Sequence, residues 1–83
     1  MGQVLTRLKV FAEEGYDAEK LRENVSKVEG CNSAKVEDYV FGVKIVVASF
    51  ICNDGESKDF EEIVRLQCQG VSEVQVEEVG LVS

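Results

Sequence analysis

Residues 3–12 alternate with period two: Val4, Thr6, Leu8, Val10 and Ala12 share one side, and Leu5, Arg7, Lys9 and Phe11 the other. Such alternation is the mark of a half-buried strand. Residues 43–52 are rich in Val, Ile and Phe and apolar on both sides, as a central strand should be. Their Val46, Ala48, Phe50 and Cys52 are expected to point inward with the even-numbered residues of the first strand. Between these segments the period changes. Ala18, Leu21, Val25 and Val28 follow Asp17 at helical spacing, and Phe60, Ile63, Val64 and Cys68 follow Ser57 in the same way. Asp17 and Ser57 are the expected N-caps, and Gly30 and Gly70 stand where C-terminal caps belong. Closing strands are expected near 32–40 and 72–79, with Ala34, Val36, Val74 and Val76 inward.

The pattern repeats. Shifted by forty residues, the chain aligns with itself without a gap: "EEGYD" meets "NDGES", and "EGCNSAKVEDYV" meets "QGVSEVQVEEVG". Gly15 falls on Gly55 and Gly30 on Gly70, at points where chain reversal is cheapest in glycine. The expected organisation is one domain over 1–83, built from pseudo-repeats 3–40 and 43–80. Each is a βαβ unit, and a short bend at Phe41–Gly42 joins them. Crossover handedness then favours an α+β, ferredoxin-like βαββαβ sandwich: a four-stranded antiparallel sheet with both helices on one face.

That arrangement leaves the other face of the sheet without a cover. It is expected to carry Leu5, Arg7, Lys9 and Phe11, then Ile45, Val47, Ser49 and Ile51, and Glu73, Gln75 and Glu77. Tyr39 and Phe41 join if alternation extends that far. Apolar residues should gather at its centre with charges at the rim. An exposed cluster of this kind marks a contact surface, unless long Arg and Lys stems or a homodimer cover it.

Charge and composition narrow the chemistry. The 83 residues carry a net charge of −7 with no histidine. A phosphate backbone is bound by Lys and Arg, so neither nucleic acid nor an anionic membrane is an expected partner. A protein with a basic patch is compatible. "VFGVKIVV" echoes an RNA-recognition strand but offers a single aromatic, Phe41, where stacking requires several. Without histidine the usual acid–base group at neutral pH is missing, and an enzyme is not expected. Cys31, Cys52 and Cys68 lack C-x-x-C spacing and fit reduced thiols. "NDGES" is too short a carboxylate loop for calcium and reads as a turn. Glu37–Asp38 and Glu77–Glu78 should each split between the two sheet faces, which precludes a facing carboxylate couple. No cofactor or metal is expected. No apolar run approaches the length of a membrane span and "MGQVLTRLKV" lacks a signal-peptide layout, so a cytoplasmic address is expected.

Over nearly its whole length the chain resembles the archaeal-type translation elongation factor 1 beta family. The resemblance rests on "MGQVLTRLKV", on "FGVKIVVASFICND" and on "GVSEVQVEEV", in that order and spacing. It implies the same ferredoxin-like fold and a guanine-nucleotide exchange function in translation elongation. The partner would be elongation factor 1 alpha, the GTPase that delivers aminoacyl-tRNA. Phe41 falls on the family's glycine-flanked aromatic, which contacts the GTPase, and Gly42 and Lys44 match beside it. With Tyr39 and Ile45 from the adjoining open face, these form the expected partner-binding set. The family ends in basic residues implicated in displacing magnesium, whereas this chain ends "VGLVS". Another cation could serve, exchange could be weak, or the chain could bind without exchanging. The rival expectation is a protein-interaction or ligand-sensing module that dimerises through its open sheet face.

Overall fold

In the computed structural model, which describes residues 2–53, 55 and 58–81, the change from period two to helical spacing becomes strand β1 (Gln3–Ala12) followed by helix α1 (Ala18–Ser26). Strand β2 (Cys31–Asp38), a single 3₁₀ turn (Val40–Gly42) and strand β3 (Lys44–Asn53) follow. Helix α2 (Phe60–Gln67) and strand β4 (Val71–Leu81) complete the chain. The four strands form one antiparallel sheet in the order β2-β3-β1-β4. The domain is therefore α+β, with the alternating β1 and the apolar β3 at the centre of the sheet and the more polar β2 and β4 at its edges.

One side of the sheet carries the core. Leu8, Val10, Val46, Ala48, Phe50 and Val74 are buried together with Leu21, Val25 and Val28 from the first helical segment and Phe60, Val64 and Cys68 from the second. The strand residues in this set are all even-numbered and the cluster is continuous, so both helices pack on the same face. Phe50 and Phe60 stack with ring centroids 4.8 Å apart and planes inclined by 21°, which couples β3 to α2. Among the described residues no polar or charged residue is buried. Burial at about 25 cal/mol per Å² of apolar surface is thus the main stabilising contribution here.

The forty-residue repeat is visible in backbone geometry. Gly15 and Gly55, and Gly30 and Gly70, all have positive φ. The ladders slip at equivalent places too: between Cys31 and Ser33 in β2, and between Val71 and Glu73 in β4.

Three local expectations change. Asp17 caps α1 as its carboxylate accepts from the Glu19 amide at 2.9 Å. The cap of α2, however, is Asp59, accepting from the Glu62 amide at 3.3 Å; Ser57 lies outside the described residues, as do Asp54 and Glu56 of the "NDGES" segment. Gly30 and Gly70 lie beyond the helix ends, since Lys27 and Cys68 hold the C-cap positions. The glycines instead serve the turns into β2 and β4.

The third change is in β4. Leu8 pairs with Val76 but Arg7 pairs with Glu78, so Glu77 is the extra residue of a β-bulge. The bulge reverses facing for everything after it, and Glu77 and Glu78 do not split between faces. Glu78 reaches Arg7 at 3.2 Å and Glu77 reaches Lys9 at 3.3 Å, both on the open side. Val79 and Leu81 consequently turn to the helix side with Val76, where they remain exposed.

Candidate functional site

Where β2 gives way to β3, the chain must reverse within a few residues. The Tyr39 amide donates to the Val43 carbonyl at 2.6 Å and the Val43 amide to the Val40 carbonyl at 3.2 Å, closing the turn. The reversal places two consecutive residues in the left-handed region: Phe41 at φ 57° and ψ 32°, and Gly42 at φ 73°. Glycine adopts this freely. Phenylalanine does not, and a left-handed conformation costs an ordinary L-residue about 1–2 kcal/mol. Among the described residues Phe41 is the one non-glycine with positive φ.

Its side chain gains nothing in return from the domain itself. Phe41 is 99% exposed, and Val40 (56%), Val43 (49%) and Tyr39 (37%) are exposed around it. A large apolar side chain left in water forgoes about 1.5–3 kcal/mol of burial. Local strain and forgone burial thus coincide at one residue, as at sites built for contact.

The neighbours hold the corner in place. Tyr39 packs edge-on to Phe11, with centroids 5.2 Å apart and planes at 83°, and the Lys9 ammonium lies 5.6 Å from the Tyr39 ring centre. That ammonium is also the partner of Glu77. Lys44 donates to the Asp38 carboxylate across the first rung of the β2–β3 ladder. The hydrogen bond and the nearby positive charge hold the Asp38 carboxyl below the usual carboxylate range.

Of the five residues expected to bind a partner, Tyr39, Phe41, Gly42 and Lys44 come together at this corner. Ile45 does not present itself: it pairs with Phe11 on the open face but is only 2% exposed. Alternation assigned its face correctly; it carries no information on depth. Val40 and Val43 belong to the exposed set and were not singled out, although "YVFGV" spells the apolar cluster in full. Phe41 itself stands in the turn and not on the sheet, since β2 ends at Asp38.

The open face differs from the expected apolar patch. None of Leu5, Phe11, Val47 and Ile51 is among the exposed large hydrophobic residues. The surface above them is a lattice of ion pairs: Arg7–Glu78, Lys9–Glu77 and Lys35–Glu37, the last at 3.1 Å. Exposed apolar surface lies instead at the Phe41 corner, along Val76, Val79 and Leu81, and at Leu66.

The remaining chemistry is sparse. None of the three cysteines is in a disulfide. Burial raises the pKa of Cys31 against an opposing hydrogen bond to the Ser33 carbonyl, and raises that of Cys68 with Cys31 adding to the effect. Among the described residues no cluster of three metal-ligating side chains occurs, and no helix is long and apolar enough to cross a membrane. The chain matches no protein-family model and no curated protein.

Proposed function

We propose that this chain is a ferredoxin-like guanine-nucleotide exchange factor for elongation factor 1 alpha, and that Phe41 is the anchor it inserts into that GTPase. The observation that carries the reading is the state of Phe41: fully solvent-exposed, in a backbone conformation unfavourable to it, at the position where the sequence resembles the family's contact aromatic. Buried aromatic anchors dominate many protein interfaces, and a preformed turn spares the cost of ordering one on binding.

Exchange requires no acid, base or cofactor of its own. A factor that binds the nucleotide-free GTPase more tightly than the nucleotide-bound form lowers nucleotide affinity by the same factor, through linkage. The order β1-α1-β2-β3-α2-β4 and the sheet order β2-β3-β1-β4 are consistent with a ferredoxin-like domain and support the reading. Lys44, three residues beyond Phe41, supplies a cation at the corner, held by Asp38.

The test is release of a fluorescent GDP analogue from elongation factor 1 alpha, with and without this protein and its Phe41→Ala variant. Many-fold acceleration that Phe41→Ala removes supports the reading. Complex formation without acceleration reduces it to binding alone, and absence of any complex overturns it.

A further inference from the structure

Beside the Phe41 corner, on the helix side of the sheet, a cleft of about 760 Å³ runs between the β1–α1 loop and the start of β3. Val43 and Lys44 form one wall, and Glu13, Glu14, Tyr16 and Asp17 the other. The corner's exposed apolar surface and this cleft are therefore contiguous through Val43.

The carboxylates along the cleft differ in what they already hold. Asp17 is committed to the α1 cap, and Glu19 receives the Arg22 guanidinium at 3.1 Å. Lys44, on the facing wall, is engaged by Asp38. Glu13 and Glu14 are exposed, and among the described residues no cation pairs with either. Elsewhere on the sheet Glu78, Glu77, Glu37 and Asp38 are matched by Arg7, Lys9, Lys35 and Lys44, and Glu73 accepts from the Gln75 side chain. The negative charge beside the apolar anchor is left uncompensated.

We infer that the corner and the cleft form one docking surface for a protein whose Phe41-receiving apolar pocket is bordered by Lys or Arg side chains, and that these pair with Glu13 and Glu14. The inference rests on the exchange reading only for which protein that is. Charge complementarity selects the occupant. A phosphate-bearing surface would meet two bare carboxylates in a chain of net charge −7, and a second copy docked by the same surface would bring its own Glu13 and Glu14 against them. Charges placed this way raise the encounter rate and reject unsuitable partners more than they add to final affinity.

The test measures binding to nucleotide-free elongation factor 1 alpha across roughly 50–500 mM salt, where screening shortens from beyond 10 Å to a few ångströms. The proteins are the native chain, Phe41→Ala, the double variant Glu13→Gln/Glu14→Gln, and a control, Glu23→Gln/Glu29→Gln, with the same change in net charge. The expected result is about tenfold weaker binding at low salt for Glu13→Gln/Glu14→Gln, a flatter salt dependence, and little change for the control. If the two double variants behave alike while Phe41→Ala abolishes binding, the docking role of the cleft is overturned and the exchange reading stands. If the native chain fails to bind at every salt concentration, the exchange reading falls and takes this partner assignment with it.

Discussion

The ring of Tyr16 lies against Gly70, filling the space in which a Cβ at residue 70 would stand. The contact joins the two halves of the chain. The Tyr16 hydroxyl accepts from the Asn24 amide group at 2.9 Å, and the same amide group donates to the Gln69 carbonyl at 3.3 Å. The Glu13 amide donates to the Gly70 carbonyl at 2.7 Å. Gly70→Ala must therefore displace an aromatic ring and hold alanine at φ 83°. A loss of more than about 2 kcal/mol in urea unfolding is expected, because the backbone term alone is about 1–2 kcal/mol. Gly15→Ala, at φ 80° with open space around it, should cost only the backbone term.

Phe41 offers a prediction of opposite sign. Asparagine tolerates the left-handed region better than phenylalanine, and no burial is lost when a 99% exposed ring is removed. Phe41→Asn should stabilise the domain by about 0.5–1 kcal/mol in thermal or urea unfolding while eliminating partner binding. A destabilised Phe41→Asn protein would show instead that the ring supports the fold.

Asp38 should titrate below the ordinary carboxylate range, first because of its hydrogen bond from Lys44 and then because of that residue's charge. Its folded-state pKa is depressed, so the pairing stabilises the fold above the unfolded-state pKa and is lost as pH falls through the folded value. Carbon-detected NMR titration should place the Asp38 midpoint at the acidic end of the carboxylates. Lys44→Met should return it toward the normal range.

The thiols should be slow to react. Burial disfavours the thiolate at both Cys31 and Cys68, and the thiolate is the reactive form. Labelling by a disulfide reagent at neutral pH should be about tenfold or more slower at these two cysteines in the folded protein than in denaturant, read residue by residue by mass spectrometry. Equal rates folded and unfolded would contradict that burial.

Much of this architecture is legible in the order of residues because alternation and helical spacing directly record which side meets the core. Leu8, Val10, Val46 and Phe50 could be assigned inward for that reason, and each is fully buried. Simple alternation passes over the bulge and wrongly splits Glu77 from Glu78, although its mark stands in the sequence: Val74 and Val76 are even-numbered, Val79 and Leu81 odd, and the adjacent Glu77–Glu78 marks the change of parity. What the pattern could not convey is conformation and depth. Gly42 marks the bend, but nothing local shows that Phe41 shares its left-handed conformation, and Ile45 is covered through distant register partners. Glu13 and Glu14 carry no signal in sequence, because their significance depends on which cations are spent elsewhere.

The bulge at Glu77 also limits how this strand can change by insertion or deletion. Deleting Glu77 would remove the bulge and restore simple alternation from Glu73 onward, with Glu78 kept opposite Arg7 on the open side and Val79 and Leu81 kept on the helix side. A loss of one codon there would preserve the two surfaces of the strand's end, whereas a loss of two would place Val79 directly after Val76 and exchange them. Length variation in β4 is therefore tolerated only where a bulge absorbs it, and relatives of this domain should carry one or two residues between Val76 and Val79, never none.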